Sequence, residues 1–256
     1  MNDEQRTTNH EPRTTNTTVL AIDAGNTRIK WGTHDGARWL MQSSIGATRA
    51  SELGAAFSGL PPLQAVVVSN VAGAALRGKI LQALPAAPTP RWIRSERAQC
   101  GIRSSYDDPA QLGCDRWAAL IGAHRRFGGP AIVVDAGTAV TIDALTGDGV
   151  FVGGIIVPGA QLMRAALAEH TAALRLRPGK FSFFPNATGD AIISGAIDAL
   201  AGAIERMARF LETTGEPRPV CVLSGGGAPL IGPYLNLEVK VVDNLVLEGL
   251  LEIARA

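Results

Sequence analysis

Apolar residues along this chain fall in short dense runs separated by turn-forming clusters, the rhythm of a protein that alternates strands and helices. Val19-Leu20-Ala21-Ile22 is a buried-strand run that ends in Asp23-Ala24-Gly25-Asn26-Thr27. Arg28 to Thr33 alternates polar and apolar side chains as a second strand, His34-Asp35-Gly36 turns the chain, and Ala37 to Ser43 returns as a third. A helix is predicted over 47–57, a strand over 65–69 and a helix over 72–84, with a short strand at 91–93. Residues 95–108 read as irregular. Asp108-Pro109 opens a predicted helix running to Phe127, since proline suits a first helical turn, and Gly128-Gly129-Pro130 ends it. Beyond it come strands at 131–134, 140–144 and 150–157, helices at 159–170 and 188–211, strands at 220–223 and 239–242, and a closing helix at 245–255.

The second half repeats the first. Ile132-Val133-Val134 leads into Asp135-Ala136-Gly137-Thr138 as Ala21-Ile22 leads into Asp23-Ala24-Gly25, and each turn hands the chain to an antiparallel strand. The expected fold is therefore α/β, with two duplicated halves around a cleft. The boundaries read as a disordered tail over 1–18, an N-terminal half over 19–129 and a C-terminal half over 130–256. A cleft between two such halves is a natural ligand site.

Each Asp-Ala-Gly turn suits phosphate chemistry. Glycine allows close backbone approach, and the N–H groups beside it, with Asn26 and Thr27, can point at phosphate oxygens. Asp23 stands at a strand end where it can hold Mg²⁺ directly or through water, and Lys30 can neutralise phosphate charge. Ser224-Gly225-Gly226-Gly227 follows a third strand and clears side chains where a flat or bulky group could approach. Neither a G-x-x-x-x-G-K-[ST] loop nor a G-x-G-x-x-G turn after the first strand is present, which argues against a P-loop enzyme and a Rossmann dehydrogenase.

Composition narrows the class. Apolar residues make up 46% and charged residues 18% of 256 positions, enough to build a core without staples. A net charge of +1 gives no general pull towards nucleic acid or anionic membrane. No apolar run reaches the roughly 18 residues of a membrane span, and the polar N-terminus has no signal-like stretch, so the expected location is cytoplasmic. Three scattered cysteines and four histidines without metal-ligand spacing argue against a disulfide scaffold or a zinc module.

The densest string is Tyr106 to Trp117. Asp115 and Arg116 interrupt an otherwise apolar helix. Such a pair is either a surface ion pair or a general base beside an anion clamp. Gly153-Gly154 with Pro158-Gly159 either turns a strand into a helix or lets a substrate approach closely. Phe181-Ser182-Phe183-Phe184-Pro185 reads as an interface or lid anchor, and Arg175, Arg177 and Lys180 as a solvated face.

The duplicated turns resemble those of the acetate and sugar kinase/Hsp70/actin superfamily, whose members bind ATP between two ribonuclease-H-like halves. The whole motif set resembles the type III pantothenate kinases, also called the Bvg accessory factor family. The pieces are D-A-G-N-T at 23–27 with Lys30, Y-x-x-P-x-x-L-G-x-D-R at 106–116, D-A-G-T-A at 135–139, G-G-x-I-x-P-G at 153–159 and N-A-T-x-x-A-I-x-x-G at 186–195. The resemblance implies an actin-like ATPase fold and ATP-dependent phosphorylation of pantothenate, the first step to coenzyme A. It implies Asp115 as proton acceptor, and Tyr106, Gly113, Cys114, Asp115, Arg116 and Thr188 around pantothenate. It places Asp23, Ala24, Gly25, Asn26, Thr27, Arg28, Lys30 and Thr138 around ATP, with Mg²⁺ at Asp23 and a monovalent cation, K⁺ or NH₄⁺, at Asp135. It further implies a homodimer in which Thr188 completes the neighbouring subunit's pocket. A regulatory, DNA-binding role on the same scaffold is the competing reading, and it would want a basic face or a recognition helix.

Overall fold

A computed structural model describes residues 18–171, 174 and 177–256. The first half opens with β1 (Val19–Ala24), β2 (Arg28–His34) and β3 (Trp39–Gly46), then a 3₁₀ segment over Ala47–Glu52 and α1 (Leu53–Phe57). Next come β4 (Ala65–Asn70), α2 (Gly73–Ala83), β5 (Arg91–Trp92), β6 (Ala98–Gln99), β7 (Ile102–Ser104) and α3 (Cys114–Phe127). The second half has β8 (Ala131–Ala136), β9 (Ala139–Leu145), β10 (Val150–Pro158), α4 (Ala160–His170), α5 (Thr188–Glu212) and β11 (Val220–Ser224). It closes with α6 (Ala228–Ile231), β12 (Val239–Val241) and α7 (Leu245–Arg255).

The predicted duplication appears strand for strand. The first sheet runs β3-β2-β1-β4-β5, and the second runs β12-β11-β8-β9-β10 and then adds β7-β6. In each, the strand that is apolar up to its terminal aspartate is central: β1 pairs antiparallel with β2 and parallel with β4, as β8 does with β9 and β11. Burial on both faces is why β1 and β8 read as continuous apolar runs rather than alternating ones. Both therefore end on the same side of their sheets, and both end in an aspartate followed by alanine.

Two elements cross residue 129. The hairpin β6–β7 lies in the second sheet, where Val150 of β10 pairs with Arg103. The closing helix α7 packs back on β1, β4 and α3, burying Leu247, Leu250 and Ile253 completely. Each such side chain contributes about 1.5–3 kcal/mol of burial. Glycines let α3 and α7 meet closely: a Cβ on Gly122 would lie 2.8 Å from the Leu245 carbonyl oxygen, and one on Gly249 would overlap that of Ala118. Polar ties fix the same helix: the Trp39 indole N–H donates to Glu248 Oε1 at 3.0 Å, and Arg91 to the Ile253 carbonyl at 2.9 Å.

Three local expectations change. The segment 95–108 holds the β6–β7 hairpin, because Arg103 and Ser104 pair with Val150 and Phe151 of β10, far away in sequence, and Ile102 is buried. The helix predicted from Asp108 begins only at Cys114. Pro109–Gln111 makes a single 3₁₀ turn capped by Asp108, after which Leu112 and Gly113 are extended. The predicted helix over 47–57 splits at Arg49, whose backbone leaves helical geometry. Residues 1–17 of the expected tail lie outside the described residues. No helix among the described residues is long and apolar enough to cross a membrane.

Candidate active site

The two aspartate-ended strands place their turns face to face. After Asp23, the Gly25 N–H donates to the Arg28 carbonyl at 3.0 Å; after Asp135, the Gly137 N–H donates to the Ala139 carbonyl at 3.0 Å. The turn tips touch across the halves, with Thr27 Oγ1 2.9 Å from Thr138 Oγ1. Asn26, Thr27, Arg28, Gly137 and Thr138 are exposed there, whereas Ala24 is buried beneath. The Arg28 guanidinium donates to Ser44 Oγ at 2.5 Å.

Below the turns lies an acidic centre. Asp23 Oδ1 is buried with no hydrogen-bond partner. Burial, then the negative charges of Asp135 and Asp115, push its carboxyl up to about 7 against the opposing pull of Lys30 and the Ser69 hydroxyl. Burial and Asp115 likewise raise Asp135, again opposed by Lys30. One lysine thus faces a buried and a half-buried carboxyl, and the site is short of positive charge. Among the described residues no three His, Cys, Asp or Glu side chains converge into a complete metal cage. The donor set suits a hard cation that keeps water or substrate oxygens in its shell: carboxylate oxygens, one of them orphaned. Asp115, Arg116, Asp135, Thr141 and Asp143 surround a void of about 10 Å³.

Asp115 sits in the first turn of α3, after Gly113, and its Oδ1 accepts from the Arg116 N–H at 2.7 Å. Arg116 is no surface ion pair. Its side chain is buried and bound bidentately by Asp143, Nε to Oδ2 at 3.1 Å and Nη2 to Oδ1. Burial alone would lower the pKa of Arg116, and the Asp143 contact overrides it, raising it above its ordinary value. Asp143 is the site residue that motif reasoning missed. A charged residue inside the apolar run Thr141-Ile142-Asp143-Ala144-Leu145 was the available signal. Gly154 lies opposite Asp143 in the β9–β10 register, so the close approach at the Gly153-Gly154 pair is to this ion pair. Phe151 stacks near both Arg116, at 5.9 Å, and Tyr106, at 5.1 Å.

Other expected residues border hollows beside this centre, and Tyr106 is tied to it by a side-chain bond to Arg116. Gly113 and Cys114 line a cavity of about 450 Å³ with Asn70, Arg77, Trp92 and Arg94. Tyr106 borders a second hollow of about 330 Å³ with Asp107 and with Gln111, which also lines the first. The Cys114 thiol lies 3.3 Å from Ser69 Oγ, and burial pushes its pKa up. Thr188 is the exposed first residue of α5. Of the triple glycine, Gly225 and Gly227 pack tightly on Ala136 of β8, and only Gly226 faces open space. Phe183 and Phe184 are exposed, while Phe181 stacks on Tyr234 at 3.9 Å. Arg177 and Lys180 are exposed, and Arg175 lies outside the described residues.

Known proteins resemble this chain in sequence and in fold. The family model described as type III pantothenate kinase matches residues 19–209. A type III pantothenate kinase of Nitrosospira multiformis is 48% identical over 241 residues, covering 94% of this chain and 92% of that protein. One of Aromatoleum aromaticum is 47% identical over 238 residues, covering 93% and 98%. Among solved structures, a Campylobacter jejuni protein described as a Baf family transcriptional activator superposes with a TM-score of 0.59 at 20% identity, covering 92% of this chain and 97% of its own. The activator of 2-hydroxyisocaproyl-CoA dehydratase from Clostridium difficile, with bound ADPNP, gives 0.51 at 14% identity, with 93% of each chain covered. These similarities fix the fold as the two-lobed, actin-like one.

Proposed function

The chain belongs to the type III pantothenate kinase family, and from that premise we propose how its own residues transfer the γ-phosphoryl group of ATP to the primary hydroxyl of pantothenate, the first step towards coenzyme A. The observation that carries this reading is the meeting of the two turns at Thr27 and Thr138, each turn following a strand-end aspartate, Asp23 or Asp135, with Lys30 acting on both carboxyls. ATP phosphates lie against the exposed turn residues 26–28 and 137–138, whose N–H and hydroxyl groups donate to them. Lys30 adds positive charge. Asp23 would hold Mg²⁺ and Asp135 K⁺ or NH₄⁺, with water and phosphate oxygens completing each shell. Bound there, the cations offset the negative charge of the phosphates and of the two carboxylates.

Phosphoryl transfer depends mainly on positioning and charge stabilisation. Asp115 orients the acceptor hydroxyl and accepts its proton as the new P–O bond forms and the bond to ADP breaks. Arg116 donates to the pantothenate carboxylate, with Tyr106 and the backbone of Gly113 and Cys114 holding the rest of the acceptor. A homodimer brings Thr188 of one copy to the pocket of the other. The exposed apolar side chains of Ile156, Phe183 and Phe184 support such an interface. The enzyme works in the cytoplasm.

The test is ADP release from ATP and Mg²⁺ with and without pantothenate, in K⁺, NH₄⁺ or Na⁺. Pantothenate-dependent release that requires K⁺ or NH₄⁺ is expected. Asp115→Asn should lower kcat by about 100-fold or more while ATP affinity stays within about threefold. Equal losses in turnover and in ATP affinity would remove Asp115 from the role of base.

A further inference from the structure

We propose that Asp143 is a positioning residue for acceptor recognition: by gripping the Arg116 guanidinium in the space left by Gly154, it fixes in advance the N–H groups that meet the acceptor's carboxylate. This rests on the reading of Arg116 as the carboxylate clamp.

The geometry is specific. Asp143 is 1% and Arg116 8% exposed, so both charges have left water. A buried ion pair is weak evidence for stability, because desolvation offsets the attraction. Its bidentate form does fix the plane of the guanidinium, which a single contact would leave free to rotate. Asp143 takes Nε and Nη2 and the Tyr106 side chain also bonds the guanidinium, so the N–H groups these two leave are the ones offered to a ligand. Phe151 lies by the guanidinium and borders Tyr106, limiting tilt.

Gly154 is the third member. A Cβ there would overlap Asp143 Oδ1 and lie 2.8 Å from Arg116 Nη2 and 2.7 Å from the Ile142 carbonyl oxygen. Three elements thus converge: α3 supplies the arginine, β9 the carboxylate and β10 the missing side chain. The pair is neutral as a whole. The acceptor's carboxylate is therefore recognised by aimed N–H groups rather than by free positive charge, which favours a planar carboxylate over other anions.

Steady-state kinetics of Asp143→Asn and Gly154→Ala test this. Each should raise KM for pantothenate by about tenfold or more and leave KM for ATP within about twofold. Because both act on one contact, the double variant should be no worse than the poorer single one. Proportional rises in both KM values, or an unchanged KM for pantothenate in folded variants, would overturn the proposal. Should neither variant fold, the wild-type enzyme decides. The Arg116 Nε–H signal in ¹⁵N NMR should be protected from solvent exchange before acceptor is added. A signal that appears only with pantothenate would show that the acceptor, not Asp143, orders the guanidinium. Wild-type protein that does not phosphorylate pantothenate would instead overturn the assigned reaction, and the exchange measurement would still report on the Asp143 grip.

Discussion

Asp23 is a residue whose surroundings work against the ligand-free fold. Its carboxyl is raised from 3.8 to about 7, so between those values the folded protein keeps a proton that the unfolded chain has lost. Stability of the ligand-free protein should therefore fall as pH climbs through that window and level off above it. A shift of this size corresponds to about 4 kcal/mol. Asp23→Asn should flatten the pH dependence and raise the melting temperature near pH 7.5 by several degrees. It should also reduce kcat/KM for ATP by about 100-fold or more. Thermal melts of both proteins from pH 4 to 8, without nucleotide, check the first part; an equally steep wild-type and variant profile would contradict it. At this scale the sequence disclosed the residues on the turns and hid their partners. Asp23 and Asp135 stand out because each ends an apolar run before Ala-Gly. Asp143 carries no such punctuation, and its bond to Arg116 joins positions 27 apart through a pairing that no local pattern encodes.

At the scale of elements, glycines separate packing from propensity. Gly249 lies where α7 presses on Ala118 of α3, so Gly249→Ala should destabilise by about 3 kcal/mol or more. Gly202, on the exposed face of α5, has open space around it, so Gly202→Ala should stabilise by about 0.5–1 kcal/mol. Urea midpoints at constant m-value would check both signs. The same distinction explains which elements were legible. Long periodic stretches such as α5 and α7, and continuous apolar strands such as β1 and β8, carry their own signal. The hairpin β6–β7 is too short to do so and exists because β10 offers an edge. The sequence places the start of α3 too early because proline at 109 suits a helix start, while Gly113 supplies the actual entry five residues before the first buried core alanine.

For the whole molecule, the repeated Asp-Ala-Gly turn is enough to foresee two like halves, since each such turn hands an apolar strand to an antiparallel partner. It could not foresee that α7 returns to the first sheet, because that placement follows from packing among 22 residues of one buried cluster. Assembly is the next level. A homodimer should appear in sedimentation equilibrium, and Ile156→Asp, on the exposed apolar face of β10, should shift it towards monomer. Thr188→Ala should leave the dimer intact and raise KM for pantothenate. A monomeric wild-type protein with full activity would contradict a shared pocket.

Phosphoryl transfer from ATP to the acceptor's hydroxyl is proposed at a site built where the two halves meet. Its most direct test is ³¹P NMR of wild-type enzyme, ATP, Mg²⁺, K⁺ and pantothenate. A new phosphomonoester signal should grow in step with ADP and be absent with Asp115→Asn. ADP accompanied only by inorganic phosphate would contradict the claim and mark the protein as an ATPase.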